Sequence, residues 1–100
     1  MLRLALSLLL LAAAATGACA ADASKGEALA KRWCATCHIV AVDQQRGTTQ
    51  APPFSATASK PDFNERTLAY FLLMPHPRMP DMNLTRNEAA DLAAYIKGQK

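Results

Sequence analysis

Nothing in this chain alternates apolar and polar residues over the roughly four to eight positions that a half-buried strand needs, so a sheet is not expected. Long hydrophobic runs are missing too. The longest, Leu4 to Ala15 with Ser7 inside it, has twelve residues, where a membrane-spanning helix needs about twenty. Positive charge is not gathered into a stripe: Lys and Arg stand singly or in pairs among eight acids, which argues against nucleic acid as a partner. There is no internal repeat and no low-complexity linker, and 100 residues allow one domain at most. Cysteine is scarce, with three in the chain. A zinc site built on two of them would need two more ligands, and outside the cysteine motif the chain past Cys19 offers only His76.

What is present divides the chain in two. Arg3 gives a positive start, the short apolar run comes next, and Ala18-Cys19-Ala20 supplies small residues, the layout of a secretory signal peptide. Residues 1–20 are read as a signal peptide cleaved after Ala20 or Ala21, and residues 21–100 as the folded domain of an exported, periplasmic protein. Lipid attachment at Cys19 is the alternative, but Thr16 stands where such sites carry Leu, Ala or Val. Cleavage leaves 80 residues with a net charge of +2, a size at which an apolar core is barely sufficient without a staple. A buried cofactor would supply one.

The remaining cysteines stand as Cys34-Ala35-Thr36-Cys37 with His38 directly after, the spacing of covalent haem c attachment. Each thiol adds to one vinyl group of the same macrocycle, and one helical turn sets the two sulfurs that far apart. His38 then lies beneath the iron, one ring nitrogen binding it and the other held by a hydrogen bond. A thioredoxin-like pair would want a βαβ context, which is absent. A structural disulfide across two residues would constrain the unfolded chain little and would leave His38 unexplained.

Three helices are expected around this motif. Ser24-Lys25-Gly26-Glu27 reads as a capping box, with Ala28, Leu29, Ala30 and Trp33 carrying the helix into the cysteines. Residues 39–51 turn polar without a sustained period and read as a loop around one haem edge, closed by Pro52-Pro53-Phe54. Ser59-Lys60-Pro61-Asp62 offers a second cap before a helix over Phe63 to Met74, where Phe63, Thr67, Tyr70, Phe71 and Met74 fall on one face. Pro75, Pro77 and Pro80 make the next segment a stiff loop. Thr85-Arg86-Asn87-Glu88 is a third capping box, with Ala89, Leu92, Ala93 and Ile96 facing inward and an end near Gly98.

The opposite side of the iron decides between electron carriage and ligand chemistry. Met74, Met79, Met82 and His76 all lie in or beside the proline-rich loop. Met79 is the expected ligand, because it sits mid-loop where Pro80 restrains the chain. Met74 falls on an apolar helix face and reads as core filling. Met82 would leave a shorter tether, and His76 would make a bis-histidine haem of lower potential. A neutral thioether favours ferrous iron, and two saturated axial positions suit a carrier.

Taken together, residues 23–99 resemble a class I cytochrome c, in particular the small bacterial monohaem members. Gly26, eight residues before Cys34, matches the family's helix-crossing glycine, and Leu92 and Tyr95 resemble the leucine and aromatic of its last helix. The resemblance implies an all-α cytochrome c-like fold, three main helices and loops wrapped around one covalently bound haem. It also implies that a proline carbonyl meets His38, with Pro53 the candidate and Pro52 the alternative, and it supports Met79 as distal ligand. The chain departs from the family at Ala30, where an aromatic is common, and Trp33 is expected to take over that packing. Arg46 is a candidate for the haem propionates by its loop position alone. The function implied is a diffusible periplasmic electron carrier and not an enzyme, with a dehydrogenase or reductase as donor and an oxidase or other acceptor. It has no stable membrane span after cleavage. Alternatives are a tightly bound subunit of a periplasmic dehydrogenase, and a haem enzyme or gas sensor with an open iron site.

Overall fold

The computed structural model, which describes residues 20–74 and 76–100, contains four helices and no strand among those residues, and three of the four begin at a side-chain cap. They are α1 (Ala23–Trp33), α2 (Phe54–Ala58), α3 (Glu65–Leu72) and α4 (Arg86–Lys97). The all-α fold agrees with expectation. The expected signal peptide, apart from Ala20, and Pro75 lie outside the described residues.

The start of α1 is set by tertiary contact. Its cap is Asp22, not Ser24: the Asp22 carboxylate accepts from the main-chain N–H groups of Ser24 at 2.9 Å and Lys25 at 3.2 Å. Asp22 in turn donates its own N–H to Asp91 Oδ1 at 2.7 Å, so docking on α4 moves the cap upstream of the local signal. The two helices cross at Gly26. A Cβ there would run into the Asp91 carbonyl and come within 2.9 Å of Tyr95 Cβ. Ala30, one turn on, is fully buried, while Trp33 stays 39% exposed beneath the Arg32 guanidinium. Trp33 therefore does not take over the packing at the crossing. The aromatic pair in the core is instead Phe54 against Tyr95, edge on at 6.4 Å.

The second expected helix is displaced and shortened. Ser59 closes α2 at its C-terminal end and so is not free to cap the next helix, and Pro61 disfavours helical backbone at Lys60. The chain makes a turn, with Phe63 N–H bonded to Lys60 O at 3.0 Å, and α3 begins only where Asn64 Oδ1 accepts from Thr67 N–H at 2.9 Å. Its inward face is carried by Leu68 and Leu72, which pack on the core, while Tyr70 and Met74 are exposed at 65% and 44%. The helix α4 matches its sequence signals closely. Thr85 and Glu88 form a reciprocal capping box, Ala89, Leu92, Ala93, Tyr95 and Ile96 are buried, and Gly98 is the C-cap. Around α4 gather Ala30, Cys34, Val40, Phe54 and Ala58, a core that ends at the haem motif.

Candidate functional site

The motif residues sit on the end of α1 and the turn after it. Cys34 caps that helix, its N–H bonded to Ala30 O at 2.9 Å, and the chain then winds so that His38 N–H reaches Cys34 O at 2.8 Å. This turn places Cys34 in the core, leaves Cys37 exposed and brings His38 to the edge of a cavity. The cysteines are not bonded to each other. Burial pushes the Cys34 thiol up to about 11, so it stays protonated at neutral pH.

His38 Nδ1 lies 2.7 Å from the Pro52 carbonyl. A carbonyl can only accept, so Nδ1 carries the proton and donates, which leaves Nε2 as the ring nitrogen with a free lone pair. The partner is thus Pro52 and not Pro53. The reason is local: Pro53 is the N-cap of α2, and its carbonyl accepts from Ala56 N–H at 3.0 Å and Thr57 N–H at 3.2 Å, so it points along that helix. Phe54 packs beside the imidazole with ring centroids 5.5 Å apart, and its N–H bonds Ile39 O at 2.9 Å. Ring and backbone of His38 are both confined.

The cavity measures about 580 Å³, within the roughly 300–1,000 Å³ of cofactor sites. Cys34, His38 and Met79 line it together, and its walls are largely apolar, with Phe63, Leu68, Phe71, Leu72, Leu92 and Ile96 among them. The helix α3 thus faces the cavity instead of burying its aromatic residues in the core. Met79 arrives there by a sharp turn. Its N–H reaches His76 O at 3.4 Å, and the preceding Arg78 has φ +76°, an uncommon left-handed conformation for a residue with a side chain.

The other ligand candidates are elsewhere. Met82 is packed against the core, Met74 lies past the end of α3, and His76 stacks edge-on against Phe71 with centroids 3.6 Å apart. His76 Nε2 is buried with no hydrogen-bond partner among the described residues. Arg46 belongs to a different, more open hollow shared with Lys31, Asp43 and Gln44, and does not line the cavity of His38. No group of three or more His, Cys, Asp or Glu side chains gathers as a metal site among the described residues.

The donor set fits a haem. Two cysteines at the sequence spacing of haem attachment, Cys34 lining the cavity and Cys37 exposed beside it in sequence, one imidazole with a lone pair free, one soft thioether and an apolar cavity of cofactor size meet the needs of a covalently held iron porphyrin. Sequence reasoning missed Gln44, whose side chain ties the motif to the loop after it. It stood in a polar stretch with no periodicity, and nothing in the local pattern separates it from Gln45 or Gln50.

Comparison with known proteins is consistent with this chemistry. Residues 21–96 match the family described as cytochrome c oxidase, cbb3-type, subunit III. The chain is also similar to cytochrome c-552 of Bradyrhizobium diazoefficiens, 51% identical over 88 residues, which cover 88% of this chain and 85% of that protein. No solved structure gives a significant match.

Proposed function

Since this chain belongs to the family of the cbb3-type cytochrome c oxidase subunit III and is a small monohaem c-type cytochrome, an electron-transfer protein and not an enzyme, we propose that it is an exported periplasmic carrier whose haem is bound through Cys34 and Cys37, with His38 and Met79 as its iron ligands. The cofactor of the family is covalently bound haem c, which supplies an iron that takes up and gives back one electron. The protein's part is to hold it and to exclude competing chemistry. His38 keeps its proton on Nδ1, bonded to Pro52, so that Nε2 is always the coordinating nitrogen and the ring keeps one orientation. Met79 would hold the iron by a neutral sulfur, which would favour the ferrous state and leave no room for a substrate or gas to bind. Leu68, Leu72, Leu92 and Ile96 give the cavity an apolar wall.

The observation that carries this reading is that Met79 shares one apolar cavity with His38 and Cys34, while Met82 is spent on the core. Optical spectroscopy of the exported protein tests it. Met79→Ala should abolish the weak red absorption of sulfur-ligated ferric haem, and Met82→Ala should retain it. If Met82→Ala abolishes that band and Met79→Ala does not, the ligand assignment is wrong. Residues 1–20 are proposed as the cleaved leader, which a mass or N-terminal sequence of the secreted protein checks. No helix among the described residues is long and apolar enough to cross a membrane.

A second reading, a permanently held subunit of a larger redox complex, is favoured by the description of the matched family. Co-purification with a larger enzyme at a fixed ratio would establish it.

A further inference from the structure

Gln44 projects from the loop after the haem motif, and its amide touches four main-chain groups. Oε1 accepts from Val40 N–H at 3.0 Å. Nε2 lies 2.9 Å from Ala35 O, 2.7 Å from His38 O and 2.7 Å from Arg46 O. Carbonyls only accept, so the amide has one admissible orientation; turned over, its oxygen would face three carbonyls and its NH2 the Val40 N–H. Two N–H bonds serve three acceptors, one of them shared. Ala35 lies inside the haem motif, His38 closes it, and Val40 is 2% exposed and accepts from Tyr95 Oη on α4 at 2.6 Å. A single side chain therefore joins the motif, the loop after it and, through Val40, the last helix.

We infer that Gln44 is a positioning residue for His38, holding that histidine by its backbone while Pro52 holds it by its ring. The inference rests on His38 being the iron ligand proposed above. The two supports act together. The imidazole can keep Nδ1 aimed at the Pro52 carbonyl only if the His38 main chain does not shift, and the His38 carbonyl is tied down through Gln44. Without that tie the Nδ1–H···O bond lengthens, the imidazole becomes a weaker base, and ferric iron loses more than ferrous iron. The direction is therefore an upward shift of potential. Removing the amide also leaves the buried Val40 N–H without its acceptor, which makes the segment easier to open.

The holoprotein, exported with its haem attached, provides the test. Gln44→Glu keeps the shape and an accepting oxygen for Val40 but has no donors at neutral pH, and Gln44→Leu removes both functions. Both variants should remain six-coordinate and low-spin. Gln44→Leu should raise the potential, the ferric to ferrous ratio at fixed ambient potential falling by up to about tenfold, or 59 mV for one electron, whereas in Gln44→Glu the added negative charge opposes that rise and its potential should lie below that of Gln44→Leu. The hyperfine-shifted NMR signals of the His38 ring should move as its angle changes, and Val40 amide exchange should quicken more in Gln44→Leu than in Gln44→Glu. If the variants are less stable to denaturant yet keep the wild-type potential and His38 signals, Gln44 is a structural residue only and the inference fails. Should either variant not fold, Gln44→Ala, which removes the amide and adds no charge, gives the same reading: an unchanged potential and unchanged His38 signals overturn the role. His38→Ala separates the two claims, since a low-spin His/Met spectrum persisting there would remove the ligand assignment itself and not merely the part played by Gln44.

Discussion

Replacing Gly26 by alanine adds one methyl group at the tightest point of the fold. Two effects oppose each other. Alanine is better than glycine in a helix interior by about 1 kcal/mol, so away from any contact the change would stabilise α1. Here the new Cβ meets the Asp91 backbone, 2.6 Å from its carbonyl carbon, and Tyr95 Cβ at 2.9 Å. Backbone of a packed helix cannot rotate aside as a flexible side chain can, so the two helices must part. Overpacking of this kind costs about 1–3 kcal/mol, occasionally more, and parting the helices also strains the Asp22–Asp91 and Tyr95–Val40 hydrogen bonds, each contributing about 1 kcal/mol. The net expectation is a loss of about 2 kcal/mol or more, a large share of the roughly 5–15 kcal/mol that holds a domain folded. The assay is denaturant unfolding of the holoprotein beside Gly98→Ala, whose Cβ would find nothing nearer than the Tyr95 carbonyl at an ordinary 3.5 Å. Gly98→Ala should stay within about 0.5 kcal/mol of wild type. Equal midpoints for the two variants would refute the close crossing.

Two further outcomes are expected beside the Met79 and Gln44 experiments. Tyr95→Phe should cost about 1–3 kcal/mol in the same unfolding assay, because it leaves the buried Val40 carbonyl without its donor. Thr85→Ala should cost about 1 kcal/mol as a lost helix cap. That cap carries a pH signature as well. Hydrogen bonds from Thr85 hold the Glu88 carboxyl below its usual range, so its contribution is present above the unfolded pKa and is lost as pH falls through the folded one. The gap between wild type and Glu88→Gln, measured as unfolding midpoint against pH, should therefore be constant near neutrality and shrink in acid.

Local patterns carried the chemistry of this protein. Cys34, Cys37 and His38 are legible because haem attachment needs its groups within one turn of chain. The capping box at Thr85 and Glu88 is legible for the same reason, both partners lying on adjacent turns. Met79 could be picked out as the candidate because two neighbouring prolines leave few conformations to the loop around it. Gly26 was legible through the spacing of a known family, and its reason appeared only with Asp91 beside it.

Several contacts between distant segments were beyond sequence reasoning, which chose wrongly or saw nothing at Pro53, Ser24, Trp33 and Gln44. Pro52 and Pro53 are equivalent as letters; which carbonyl faces His38 depends on α2 beginning at Phe54 and taking the Pro53 carbonyl for its own first turn. Asp22 displaced Ser24 as a cap because Asp91, 69 positions away, holds it. Trp33 stayed at the surface because Gly26 and Ala30 already bring α4 too close to admit an indole. Gln44 was one polar loop residue among several until the chain folded back to set three carbonyls and an N–H around its amide. The sequence by itself marked Cys34, Cys37 and His38 as the groups proposed to hold a haem, since that motif is contiguous and local. The tertiary structure alone decided how those groups are aimed, since a hydrogen bond depends on direction and the directions come from contacts far apart along the chain.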